Sequence, residues 1–97
     1  MVIISYGALR DFFEIHAHSK DALNNWYRIV SKTDWANFHE MKEMFNSVDA
    51  VCNDRFVFNI RGNNYRIVAL IFFDIRTVYI RFVGTHQEYD KIDCSTI

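Results

Sequence analysis

Arg55–Tyr89 reads RFVFNIRGNNYRIVALIFFDIRTVYIRFVGTHQEY, and the fold turns on how this stretch pairs with itself. β-branched and aromatic residues dominate it, and two polar interruptions, Arg61-Gly62-Asn63-Asn64 and Asp74-Ile75-Arg76-Thr77, have the composition of turns. Three strands joined by two hairpins are therefore expected: Phe56 to Ile60, Tyr65 to Phe73 and Val78 to Val83.

Strand register can be chosen by asking which pairing leaves one face uniformly apolar. Pairing Ile60 with Tyr65 and Phe73 with Val78 gathers Phe56, Phe58, Ile60, Tyr65, Ile67, Ala69, Ile71, Phe73, Val78, Ile80 and Phe82 on one face. The opposite face then holds Arg55, Val57, Asn59, Arg66, Val68, Leu70, Phe72, Tyr79, Arg81 and Val83. Slipping the second hairpin by one residue would set Arg81 against Ala69 on the apolar face. Burying an unpaired guanidinium there is costly, so the first register is expected. In it Arg66 lies opposite Thr85, beside His86, with Asn59 on its other flank.

Working outward, the first half of the chain is helical in pattern after a short strand, Val2 to Ile4. Leu9, Phe12, Phe13 and His16 recur at helical spacing, as do Leu23, Trp26, Tyr27 and Val30. Ser19 is placed to cap the second helix, and Asn37 with Glu40 has capping-box spacing ahead of a third that includes Met41 and Phe45. The expected architecture is α+β: an N-terminal strand and two to three helices packed on one face of an antiparallel sheet. A length of 97 residues suits one domain spanning 1–97, and no proline or low-complexity tract marks a boundary.

Composition narrows the function. Half of the residues are hydrophobic, including nine Phe, five Tyr and two Trp, so a core forms without metal or disulfide staples. Cys52 and Cys94 lack metal-site spacing and read as free thiols of a reducing, cytoplasmic compartment. MVIIS is too short for a signal-peptide core, and the longest apolar run, Ile67 to Phe73, is far below the ~20 residues that span a bilayer. His16 and His18 point apart on a helix, which argues against a metal pair. The formal charge is -1, yet Arg55 to Arg81 carries five basic residues and one acid. A positive sheet on an acidic helical body suits a polyanionic partner.

Arg55, Arg61, Arg66 and Arg81 are candidates for holding RNA phosphate, because planar guanidinium groups bind phosphate oxygens in pairs, and Asn59 beside Arg66 is a candidate RNA contact. His86 is a candidate for proton transfer near neutral pH. Glu88 and Tyr89 could add a carboxylate or a hydroxyl. The set suits RNA cleavage by attack of the 2′-hydroxyl on the adjacent phosphate. A nucleic-acid-binding module without catalysis would use the same basic face and need no proton-transfer group.

The run Phe58-Asn59-Ile60-Arg61-Gly62-Asn63-Asn64-Tyr65-Arg66-Ile67-Val68, then Ile80-Arg81-Phe82-Val83, then Thr85-His86-Gln87-Glu88-Tyr89-Asp90, resembles the HigB toxins of bacterial type II toxin–antitoxin systems. The resemblance implies a RelE/ParE-like fold and an mRNA endoribonuclease that cuts message on the ribosome without metal. It further implies neutralisation by a helix-turn-helix antitoxin of the HigA type, with DNA engaged only through that antitoxin and no membrane association. Carried onto this sequence, Arg66 and Arg81 would stabilise phosphate, and His86 and Tyr89 would move protons. Asn59 and Asn63 would position RNA or tie down the turn. The wider superfamily includes ParE-like gyrase poisons; retention of Arg66, Arg81 and His86 favours the ribonuclease.

Overall fold

In a computed structural model, which describes residues 1–62, 64–94 and 96–97, the chain forms five strands and four helices. They are β1 (Val2–Ile4), α1 (Tyr6–Ile15), α2 (Lys20–Ser31), α3 (Phe38–Met44), β2 (Asp49–Ala50), β3 (Arg55–Ile60), β4 (Tyr65–Phe72), β5 (Thr77–Thr85) and α4 (His86–Tyr89). The sheet order is β1-β5-β4-β3-β2. All neighbours are antiparallel except β1, which adds to β5 in parallel, so the sheet is mixed.

One face of the sheet carries α1, α2 and α3. Leu9, Leu23, Trp26, Val30, Trp35 and Met41 are buried against Phe56, Phe58, Ile60, Ile67, Ala69, Ile71, Val78 and Ile80. Trp26 meets Phe58 edge to face at 5.2 Å between ring centroids, and Phe45 meets Phe58 in the same way at 5.3 Å. Each large apolar side chain fully buried here contributes about 1.5–3 kcal/mol relative to exposure. Truncating Trp26 would add a cavity to that loss.

One helix start differs from the sequence reading and a second differs only in its carboxylate contact. Ser19 does not cap α2; it closes a 3₁₀ turn, Ala17–Ser19, that runs straight into the helix, and its hydroxyl donates to the His16 carbonyl at 2.7 Å. The turn itself carries the chain into α2, so no side-chain cap is needed. Asn37 caps α3 as expected, accepting from the Glu40 N–H at 3.0 Å. The Glu40 carboxylate reaches back one residue further than a capping box requires, to the Ala36 N–H at 2.7 Å.

Ile60 pairs with Tyr65, as the apolar pattern requires. The second hairpin is corrected in two steps. Its loop is Phe73–Arg76, a 3₁₀ turn followed by Arg76 at φ 54, so Phe72 pairs with Thr77 and Val78 meets Ile71 instead of Phe73. That is an even shift, and every side chain keeps its face. A β-bulge then falls between the pairs Ala69↔Ile80 and Val68↔Phe82, with Arg81 as the extra residue on β5. Beyond the bulge the shift is odd. Val83 joins the residues packed on the core, and Phe82 moves to the open face opposite Val68. The bulge reconciles the one-residue slip with the cost of burying Arg81, which stays exposed.

Candidate functional site

On the face away from α1, α2 and α3, Arg66 occupies the middle of the sheet near the β3–β4 turn. Its cross-strand neighbours are Asn59 on β3 and Gly84 on β5. Thr85, expected opposite Arg66, pairs instead with Tyr65, the net result of the shift at the loop and the bulge together. Val57 and Val68 also face this side yet are buried, so the open face is covered at this end. The cover is α4 and the segment after it: α4 packs on β4 and β5, and Arg55 reaches the main-chain oxygen of Ile97.

Helix α4 starts where the sequence offered a signal that the catalytic reading passed over. Thr85 and Glu88 form a reciprocal capping box: the Thr85 hydroxyl accepts from the Glu88 N–H at 3.2 Å, and the Glu88 carboxylate accepts from the Thr85 N–H at 2.8 Å. Glu88 is therefore held by the helix start. The His86 N–H donates to the Asn64 carbonyl at 3.2 Å, which ties the helix to the β3–β4 turn. The His86 ring is half-exposed, with Nδ1 3.2 Å from the Asp90 carboxylate one turn on.

Tyr89 lies beneath Arg66, whose guanidinium carbon is 4.9 Å from the ring centroid. Its hydroxyl and the Cys94 thiol are 3.5 Å apart. Burial pushes the Tyr89 hydroxyl up to about 12; the contact with Cys94 adds to this, and the Arg66 cation opposes it. Tyr89 thus keeps its proton at neutral pH and is a weaker acid than an ordinary tyrosine, fitted to donate a hydrogen bond. Arg66 Nε and Asn59 Oδ1, from cross-strand neighbours, are both buried without a protein partner. The Asn59 amide nitrogen donates to the Ser47 carbonyl at 3.2 Å.

The remaining expected site residues are placed differently. Arg81 is on the open face but three positions along β5 from Gly84, about 10 Å at strand rise, so it extends the basic surface beyond Arg66. Arg55 is engaged: Nε and Nη2 donate to the Ile97 oxygen at 2.8 and 2.6 Å, and Nη1 to the Asn53 carbonyl at 2.9 Å. Arg61 adopts φ 54 in the turn and reaches over the helices, where Nη1 donates to the His18 carbonyl at 2.9 Å. There it lines a cleft of about 450 Å³ with Ala17, His18, Asp21 and Ala22, on the side away from Arg66. Asn63 lies outside the described residues. Among the described residues, no three His, Cys, Asp or Glu gather as a metal site, both cysteines are free, and no helix is long and apolar enough to cross a membrane.

A phosphate could lie between Arg66 and the start of α4, with His86 and a protonated Tyr89 on the same helical turn. Such a surface can neutralise charge building on phosphorus and supply a proton to a leaving oxygen.

Sequence comparison agrees with this geometry. Residues 19–92 match the family model of the HigB toxin, a RelE-like toxic component of a toxin–antitoxin system. The mRNA interferase toxin HigB of Escherichia coli strain K12 is 35% identical over 92 residues, covering 93% of this chain and 88% of that protein. The mRNA interferase HigB of Escherichia coli O6:H1 strain CFT073 is 30% identical over 94 residues, covering 95% and 91%. The strand, helices and mixed sheet, the match over most of the chain and the two relatives agree: the chain belongs to the HigB family of RelE-like toxins.

Proposed function

We propose that this chain is an mRNA endoribonuclease toxin that cuts message on the ribosome and is held inactive by a helix-turn-helix antitoxin of the HigA type. The observation that carries the site is Arg66, a guanidinium stacked on Tyr89 with a buried Nε that no protein group satisfies. Arg66 as a whole is only partly buried, so its remaining N–H groups can meet the oxygens of an anionic substrate.

In the reaction, the 2′-hydroxyl of one nucleotide loses its proton and its oxygen attacks the adjacent phosphorus. The bond to the 5′-oxygen of the next nucleotide breaks, leaving a 2′,3′-cyclic phosphate and a 5′-hydroxyl. Arg66 binds the non-bridging oxygens and gains strength as negative charge accumulates there. His86, oriented by Asp90, takes or gives a proton, and Tyr89 is available as a hydrogen-bond donor because its hydroxyl stays protonated. Arg81 holds phosphate further along the strand. Asn59 braces the Arg66 column, while Arg55 and Arg61 anchor the C-terminal segment and the β3–β4 turn.

Charge supports the ribosome-dependent reading. The net charge is -1 and the helical body is acidic, so few phosphates are neutralised and free RNA is held weakly. The test is to incubate the purified protein with naked message and with the same message on programmed ribosomes. Cleavage on ribosomes with little on naked RNA is expected. Equal cutting of both would remove the ribosome from the account, and broken DNA in a gyrase reaction with intact message would replace it with a gyrase poison.

A further inference from the structure

Gly84 sits directly across from Arg66, and it is small for a stated reason. A Cβ at this position would lie 2.5 and 3.0 Å from ring carbons of Phe82 and 3.2 Å from the Glu88 Cβ. The Phe82 ring therefore lies over the Gly84 backbone, beside the Arg66 column and at the foot of α4. It reaches this place only because of the bulge at Arg81, which turns Phe82 out of the core and onto the open face. Phe82 stays partly exposed although it could have been buried by a one-residue change of register. The open face continues as aromatic surface: three positions further along β5, Tyr79 meets Phe72 at 6.0 Å, with exposed Arg81 between.

We propose that Phe82 is a base-stacking residue, its ring taking the face of the nucleobase next to the scissile phosphate while Arg66 holds that phosphate. A ring diagonally across from a phosphate-binding arginine, two residues along the neighbouring strand from its partner, matches the way single-stranded RNA is held, with the backbone on cations and the bases on aromatic faces. Every base has a π-face, so Phe82 sets where the message lies and leaves sequence choice to other groups. This inference rests on the ribonuclease reading of Arg66. It adds a contact which that reading does not need.

The test is single-turnover cleavage of message on programmed ribosomes by wild type, Phe82→Leu, Phe82→Trp and Arg66→Ala, each checked for its thermal unfolding midpoint. Leu keeps an apolar cover over Val68 and removes the π-face. Phe82→Leu is expected to raise the substrate concentration at half-maximal rate about ten-fold, the loss of one stacked base, and to lower the saturating rate far less. Phe82→Trp should restore binding. Wild-type half-saturation in Phe82→Leu, or a folded Phe82→Trp as weak as Phe82→Leu, would overturn the proposal. If Arg66→Ala is inactive while Phe82→Leu is normal, only this inference fails; if Arg66→Ala cleaves normally, the site itself is wrong.

Discussion

The Arg66 guanidinium lies 4.9 Å above the Tyr89 ring, and this contact joins the middle of the sheet to the one-turn helix that carries His86. The aromatic face holds the cation in place while leaving its N–H edges for an anion. Arg66→Ala should reduce cleavage at least a hundred-fold, on the order of 3 kcal/mol of transition-state stabilisation. Arg66→Lys should fall by about ten-fold, because an ammonium neither stacks on the ring nor pairs with two oxygens. Single-turnover rates check both, with circular dichroism to show that each variant folds.

His86 separates catalysis from binding. His86→Ala is expected to lose cleavage by roughly a hundred-fold or more while retaining the affinity of wild type for programmed ribosomes. Asp90→Asn, which removes the carboxylate 3.2 Å from Nδ1, should have a smaller effect of about ten-fold. A binding module without catalysis predicts full function in both, so a rate measured beside an affinity decides.

Tyr89 makes a prediction about alkaline stability. Its folded-state value, about 12, lies above the ordinary value of 10.0, so the folded protein holds this proton more tightly than the unfolded chain does. The stabilisation is fully present below about pH 10 and is lost as pH rises toward 12. Denaturant unfolding should therefore show a steeper loss of stability between those values for wild type than for Tyr89→Phe. Equal slopes would mean that the hydroxyl is not held as the structure shows.

Gly84 links packing to the site. Gly84→Ala places a methyl group where the Phe82 ring lies, 2.5 Å from its nearest carbon, so the ring must leave. A cost of about 1–3 kcal/mol is expected from the crowding. Cleavage at low substrate should weaken together with it, as in Phe82→Leu. Unfolding midpoints and half-saturation values measured on the same protein would test the pairing of the two effects.

Much of this architecture was legible because burial has a period. The helical repeat of Leu23, Trp26 and Val30 and the alternation of Phe56, Phe58 and Ile60 each allow one buried face, and the core forms from those faces. The bulge was not legible. Adding one residue to β5 leaves composition unchanged, and Arg81 stays off the apolar face with strict alternation as well as with the bulge, so its charge does not signal the extra residue. Phe82 and Val83 exchange faces as a result, and both are large and apolar, so neither position signals the exchange. The arginines show a second limit. Arg55, Arg61 and Arg66 are alike in sequence, but a left-handed turn sends Arg61 to His18 and the C-terminal segment occupies Arg55, leaving Arg66 with an unpaired nitrogen. Thr85 and Glu88, in contrast, announced a helix start by their spacing.

The central claim, message cleavage by attack of the 2′-hydroxyl, is tested most directly by mapping transcript ends after induction of wild type and His86→Ala in growing cells. Wild type is predicted to produce new ends inside coding regions, with a 2′,3′-cyclic or 3′-phosphate on one side and a 5′-hydroxyl on the other, and His86→Ala to produce none. Intact transcripts under wild type, or ends carrying a 5′-phosphate and 3′-hydroxyl, would contradict it.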